Sequence, residues 1–394
     1  MRFKIHIMKL YKTYIIILFS SVAVSTMAQP IRNDKLNKIN SVSTAVPFLT
    51  IAPDSRSAGM GDVGVATTPD VYSLHWNPAK YVFAESNKSV ALSYSPWLRG
   101  LVKDMNLLYL TGYQKIDDMQ AIAGSLRYFN MGEIQFYNDQ GGFLRNGKPN
   151  EFAFDVAYSR LFSENVSAAL AFRYIRSDIS SGVPSTSGTK AKAGNAFAAD
   201  LAMYYHSELD IAGKSGTWAL GADFSNIGNK MSYSNEQHKT FLPINMRIGG
   251  SVGLELDVFN KISFAFDVNK LMVPTPPEYD PKTGEIIEGK SRDVGVVKGI
   301  FQSFSDAPGG FKEEMREFSF GFGLEYLYRE QFAVRTGYFH ENPYKGNRRY
   351  FTMGIGLVTN MIGFDFSYLI STLGRSNPMN NTLRFSIIVD LAKI

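Results

Sequence analysis

The chain has 394 residues, 45% hydrophobic and 20% charged, with 34 Gly, 29 Phe, 21 Tyr and no Cys. This composition excludes a disulfide scaffold, a Cys-ligated metal site, a disordered tail and a bacterial lipoprotein anchored through Cys. Arg2, Lys4, Lys9 and Lys12 supply four of the formal +5, so the remaining chain is close to neutral and lacks the basic drive that a nucleic-acid partner requires.

Residues 1–28 read as a signal peptide. Met1 to Lys12 is cationic, Thr13 to Val24 is mainly apolar, and Ser25-Thr26-Met27-Ala28 puts small residues before a cleavage point at Gln29. The apolar core is about half of the roughly 20 residues that a spanning helix needs, which favours export over anchoring. From 29 to 88 the chain carries Pro30, Pro47, Pro53, Pro69 and Pro78 among many small residues, with no sustained helical period. This stretch is expected to be an irregular N-terminal segment that plugs a lumen or caps its periplasmic mouth.

From Ser89 onward large apolar side chains fall on every second position, the period of a strand with two unlike faces. The clearest case is Phe318, Phe320, Phe322, Leu324, Tyr326 and Tyr328, separated by Ser319, Gly321, Gly323, Glu325 and Leu327. The period predicts fourteen strands, near 89–95, 107–113, 119–130, 151–161, 166–178, 196–207, 218–226, 246–256, 262–269, 317–328, 332–340, 350–358, 361–370 and 382–390. Short connections alternate with long ones, with an intermediate exception from Glu208 to Thr217. The expected fold is all-β: a 14-stranded antiparallel transmembrane β-barrel over residues 89–394, in a bacterial outer membrane, with long loops extracellular and both termini periplasmic.

A closed barrel pairs every backbone group within lipid, which an open sheet cannot do. Soluble β-sandwich strands run nearer 5 to 6 residues, and their aromatics face a core. In the barrel, lipid takes the Phe, Tyr, Leu and Ile, while the lumen takes Arg127, Asp155, Arg173, Asp200, Asp223, Arg247, Glu255, Asp267, Glu325, Arg335 and Asp365.

Gly59, Gly61 and Gly64 match the G-x-G-x-x-G pattern with Glu85 downstream. However, Pro53-Asp54-Ser55-Arg56-Ser57 supplies no strand before the glycines, so a dinucleotide site is rejected. The glycines instead suit close packing or positive φ in a segment folded against the barrel. The histidines, His6, His75, His206, His238 and His340, form no i, i+4 metal pair, and no G-x-S-x-G elbow is present. The chain is expected to be no enzyme and to hold no cofactor or metal. The loop from Lys270 to Arg316 combines Pro274, Pro276 and Pro277 with Tyr279, Phe301, Phe304 and Phe311. It is the leading candidate for a partner-binding surface, with Met231 and Tyr233 of the loop from Ile227 to Asn245 as further candidates.

The run from Ser57 through Gly59, Gly61 and Gly64 to Ala66, followed by Leu74-His75-Trp76-Asn77-Pro78-Ala79, resembles the N-terminal signature of the FadL-like outer-membrane barrels. The fuller run from Pro47 to Asp62 resembles the PorV (LptO) family of the type IX secretion system. The family motif falls on Gly59, Gly61, Gly64, Asn77, Pro78 and Ala79. The resemblance implies a barrel that binds the C-terminal domain of secreted cargo at the SprA (Sov) translocon and carries it to an attachment complex containing PorU. Outer-membrane lipids and lipopolysaccharide would surround it. The alternative within the same superfamily is a transporter of hydrophobic small molecules.

Overall fold

The computed structural model describes residues 38–393 except 100, 101, 103, 138–139, 180–191, 234–238, 374–378 and 380. The expected signal peptide, its cleavage point and His238 lie outside the described residues. Fourteen strands close into one antiparallel barrel. They are β1 (Lys88–Pro96), β2 (Asn106–Asp117), β3 (Gln120–Asn130), β4 (Asn150–Ser163), β5 (Val166–Asp178), β6 (Gly194–Ile211), β7 (Lys214–Gly228), β8 (Asn245–Asp257), β9 (Asn260–Leu271), β10 (Ser319–Tyr328), β11 (Phe332–His340), β12 (Arg349–Val358), β13 (Ile362–Ser371) and β14 (Thr382–Asp390). Each strand pairs with its neighbours in chain order, and β1 closes the ring on β14, with Ser89 opposite Asp390 and Tyr94 opposite Phe385.

The alternating side-chain pattern is what sorts the two faces. Along β6, Phe197, Leu201 and Met203 point outward and are exposed, while Ala196, Ala198, Asp200 and Ala202 point inward and are buried. The outward band of Phe, Leu, Ile and Met is left without a protein partner, as a wall facing lipid requires. The stretch from Glu208 to Thr217, read as an intermediate loop, is instead paired. Strands β6 and β7 run on to a two-residue turn at Ala212 and Gly213, with φ of 54° and 76°. Polar residues replace the alternation there because that end of the hairpin is exposed on both faces, while the backbone ladder continues.

Six short turns lie at one rim and the long loops at the other. The loop between β9 and β10 is structured: it holds a short hairpin (Glu278–Tyr279 with Ile286–Glu288) and two helices, Val296–Gln302 and Phe311–Glu314. Lys270, read as the start of that loop, is the penultimate residue of β9 and is buried.

Residues 47–85 fill the lumen, and residues 39–46 lie on the loops at its mouth. The main apolar clusters form between this plug and the wall. Phe48 and Leu49 pack with Leu107, Phe129 and Ile175, and Tyr72, Trp76 and Tyr81 pack with Tyr109, Tyr113, Ala157 and Ala171. Each such large side chain contributes about 1.5–3 kcal/mol by leaving water. The lumenal face of β3 to β7 is rich in Ala because the plug occupies the space. The described chain starts at the loop end, where Asn40 N–H donates to Tyr344 O at 2.9 Å, and finishes at the short-turn rim, where Asp390 accepts a hydrogen bond from Ser86 Oγ. The first described residues therefore do not share a rim with the end of the last strand.

Candidate functional site

The plug is seated by its glycines, its caps and a set of buried charges. In the plug, Asp54 caps the helical turn Ser55–Ala58 by accepting from Ser57 N at 2.8 Å, and its other oxygen accepts Trp76 Nε1–H at 2.7 Å. Gly61 has φ of 73°, and a Cβ there would stand 2.6 Å from Phe322 O and from Tyr338 N. Gly59 lies on Gly354 of β12, and Gly64 lies against the Trp76 ring. The Asn77 amide donates to Val65 O at 2.9 Å and Met203 O at 2.8 Å, and its Oδ1 accepts from Ala79 N at 3.0 Å. The carbonyls of Pro78 and Ala79 accept hydrogen bonds from Ser159 Oγ and Ser167 Oγ, both at 2.6 Å. All six motif residues thus fasten the plug to the wall; they do not cradle a phosphate.

The lumenal charges are paired to the plug and to one another. Arg56 bridges Asp70 at 2.8 Å and Glu325 at 2.9 Å, and Glu325 also accepts from Arg335 Nε at 2.6 Å. Arg335 reaches on to Asp365. On the opposite wall Arg173 binds Asp155 and Asp200, Arg247 approaches Asp223 at 3.8 Å, and Arg127 Nη2 meets His75 Nδ1 at 2.8 Å. Asp267 accepts from the backbone N–H of Gly64 and Val65 at 2.7 and 3.0 Å. Ten of the eleven charges assigned to the lumen are buried there. The exception is Glu255, which sits at the short-turn rim in solvent and pairs with Lys261 at 2.9 Å. It has the lumenal parity but lies near the end of β8, past the plug.

At the loop end the β9–β10 connection forms a lobe built around buried ion pairs. Lys270 Nζ, fully buried, binds Glu314 at 3.4 Å and Glu317. Lys345, from the β11–β12 loop, binds Glu313 at 2.6 Å and Glu317 at 2.9 Å. Glu314 Oε1 also accepts from the backbone N–H of Asp306 and Ala307. The helix Val296–Gln302 is too short to persist alone. It is held because Gly299 lies flat on the Phe241 ring and because Val296 and Ile300 pack toward Phe241, Ile244, Met272 and Val273.

One turn apart on the same helix, Val297 and Phe301 are 67% and 74% exposed. Tyr279, Phe304 and Phe311 of the lobe are exposed as well, so the structure leaves all four predicted lobe aromatics open to solvent. Val297, Ile286, Ile287 and Met315 join them and went unnoticed in the sequence, although the i, i+4 spacing of Val297 and Phe301 was a usable signal. Met231 and Tyr233 do not belong to this surface. Met231 is fully buried, bridged to Thr240 and packed over Gly194, and the Tyr233 hydroxyl hydrogen-bonds Ser177 Oγ at 3.0 Å. Their loop folds back onto β5 and β6, which turns its apolar side chains inward. A second exposed cluster, Ile134, Tyr137 and Phe143, stands on the hairpin between β3 and β4, far around the ring from the lobe.

Beneath the loops a cavity of about 320 Å³ is lined by Thr44, by Pro47 and Thr50 of the plug and by Arg247, Asn269 and Arg348, among others. Among the described residues no group of three or more His, Asp or Glu is arranged to hold a metal ion.

Acid should loosen the lobe through Glu313, and the β11–β12 loop bonded to it through Glu341. Burial pushes Glu313 and Glu341 up, but hydrogen bonds and charge from Lys345 and Arg348 outweigh it and leave both below the usual range. A carboxyl depressed in the folded state contributes stability above its unfolded pKa and loses it as pH falls through the folded value. Asp306, raised by burial, works in the opposite sense. Protease cleavage between 272 and 318 should therefore accelerate in acid to a smaller extent in a Glu313→Gln/Glu341→Gln variant than in the parent. Identical acid profiles would exclude these two pairs as the cause.

A model of the family described as "Type IX secretion system protein PorV" matches residues 33–278. No curated protein matches the chain. Among solved structures the barrel is similar to the CymD monoaromatic hydrocarbon channel, at 11% identity and a TM-score of 0.45, covering 86% of this chain and 95% of that one. It is also similar to the Pseudomonas putida toluene transporter TodX, at 9% identity and 0.43, covering 89% and 98%. A Pseudomonas aeruginosa FadL homologue gives 11% identity and 0.43, covering 89% and 99%.

Proposed function

Because the chain belongs to the PorV family of the type IX secretion system, we propose that this outer-membrane barrel works by recognition and handover and catalyses no reaction. Its long loops face the cell exterior. There the lobe between β9 and β10 receives the C-terminal domain of secreted cargo from the SprA (Sov) translocon and passes it to the PorU-containing attachment complex, with lipopolysaccharide around the outer rim.

The observation that carries this reading is the lobe itself. Phe301 is 74% and Phe311 77% exposed on two short helices, the first held by apolar packing around Phe241 and the second by buried ion pairs of Glu313 with Lys345 and Glu314 with Lys270. Rigid, exposed aromatics give contact area at little entropic cost, which is the pattern of binding hot spots. Transport of hydrophobic small molecules would need an apolar route through the lumen. The plug fills that route, and the cavity above it is lined by Arg247, Asn269, Lys345 and Arg348 as well as by the apolar Trp76, Leu271 and Phe339.

The test is a pull-down of the full-length, detergent-solubilised protein against its Phe301→Glu/Phe311→Glu variant. The parent should recover secreted proteins that share a C-terminal domain, and the variant should recover them at least about tenfold less, as loss of a hot-spot pair predicts. Equal recovery by both would remove the lobe from cargo recognition. A parent that holds no protein but retains a hydrophobic small molecule would favour the transporter.

A further inference from the structure

Among the buried arginines of the described residues, Arg384 is the one whose charge the fold leaves unanswered. Arg127 binds Leu49 O and His75, Arg173 binds Asp155 and Asp200, Arg247 binds Asn269 and approaches Asp223, and Arg335 binds Glu325 and Asp365. Arg384 is 1% exposed, its Nε is buried without an acceptor, and its guanidinium makes no hydrogen bond or ion pair with a described residue. The Trp97 ring stands over it, with Cζ 5.7 Å from the ring centroid. A ring face attracts the cation but gives its in-plane N–H donors no acceptor. The connection into this strand offers no counter-charge either, since Ser371 to Asn381 contains no Asp or Glu. Asp62, whose carboxylate accepts the Tyr350 hydroxyl, makes no ion pair with Arg384.

The neighbours on both flanks have unused donors as well. Alternation along β14 turns Arg384 inward, between Leu383 and Phe385. Ser367 of β13 stands directly opposite it. On β1, Tyr94 pairs with Phe385, so the antiparallel register sets Ser95 beside Arg384 on the other side. Ser95 and Ser367 are 0% and 1% exposed, and neither hydroxyl has a hydrogen-bond partner. Opposed Cβ atoms on paired strands are about 4.5–5.5 Å apart. Three inward side chains with unused donors therefore form one row across β1, β14 and β13. A charge held away from water is stable only when it is paired and hydrogen-bonded.

We propose that Arg384, Ser95 and Ser367 form a lumenal site for one small monovalent anion, a halide or the carboxylate of a small organic acid, which pins the seam where β14 closes on β1. The row sets the valence, because one guanidinium offsets one negative charge and a dianion would leave a net charge buried. The plug limits the size: Ser55 N–H donates to Ser386 Oγ at 3.0 Å, one inward position along β14 from Arg384. The site is independent of the partners that the loops meet.

The test compares the full-length, detergent-folded protein in sodium chloride, sodium acetate and sodium gluconate at equal ionic strength, gluconate being too bulky for the row. Urea midpoints should be higher in chloride or acetate than in gluconate and should rise with concentration, because an anion that binds only the folded state stabilises it. Whichever of the two protects identifies the ligand as halide or carboxylate. Ser95→Ala and Ser367→Ala each remove one donor and leave the charge, and each should weaken the apparent affinity about tenfold or more. Arg384→Gln should abolish the dependence. Arg176→Gln, at an exposed position on the outward face of β5, should retain it, which separates a bound anion from a general salt effect. If Arg384→Gln does not fold, the two serine variants carry the test, since each loses only a hydroxyl. Equal midpoints of the parent in all three salts would overturn the site and leave the row to water. A chloride or acetate effect that persists unchanged in the serine variants would overturn it too, by placing the anion elsewhere.

Discussion

Glu325→Ala should lower the stability of the folded barrel by about 3–5 kcal/mol, the range seen when one partner of a buried ion network is removed. Glu325 is 3% exposed and accepts from Arg56 Nε and Nη2 as well as from Arg335 Nε. Without it, Arg56 keeps only Asp70 and Arg335 only Asp365 as carboxylate partners, and two guanidinium groups remain away from water with one charge each to offset them. The contrast is Glu255→Ala at the rim. Its pair with Lys261 is open to solvent on both sides and contributes about 1 kcal/mol or less. Urea midpoints of detergent-folded protein, read from the mobility of unheated samples on gels, separate the two cases. Equal midpoints for the two variants would mean that the plug-to-wall network does not hold the barrel.

Gly337→Val should displace the plug while the strands stay paired. A Cβ at Gly337 would run into the backbone of Met60 and Gly61. The plug cannot retreat easily, because Gly61 N–H is bonded to Thr352 Oγ1 at 2.8 Å and Gly61 is itself pressed between Phe322 O and Tyr338 N. Overpacking of this kind costs about 1–3 kcal/mol, and loss of the seated Trp76 and Tyr72 adds several more at about 1.5–3 kcal/mol each. The readout is trypsin cleavage after Arg56, which the seated plug keeps largely buried. Gly337→Val should be cut there readily. Gly363→Ala, whose added Cβ meets nothing nearer than 3.5 Å, should resist like the parent. Equal resistance of Gly337→Val and the parent would show that the plug does not depend on this contact.

Much of this architecture could be read from the residues before any coordinates. Strands β5, β11 and β14 span the predicted segments 166–178, 332–340 and 382–390, because a period of two over about ten residues with aromatics on one face has few other solutions. The lumenal charges were legible for the same reason: parity along a strand assigns a face. Where parity was insufficient, the reading failed. Glu255 has the lumenal parity but sits beyond the plug, and the hairpin from Glu208 to Thr217 continues its backbone ladder after its side chains cease to alternate. The lobe aromatics were found from composition, but Met231 and Tyr233 looked equally exposed, since nothing local tells an apolar loop residue which way its loop will fold.

The glycines of the N-terminal motif were recognisable as a packing element, yet their partners were not. Gly61 meets β10 and β11, Asp54 meets Trp76, Arg56 meets Glu325, and Asn40 meets Glu313, 273 residues away. By itself the sequence determined the barrel, its strand count and the sorting of its faces, because those follow from periodicities that each segment carries alone. Only the tertiary structure decided that the N-terminal segment crosses the lumen from the loop end, which charges pair, and which loop residues stay exposed. Those outcomes depend on the closure of β1 on β14, which encloses the plug and brings distant residues within bonding distance, and no local pattern encodes that enclosure.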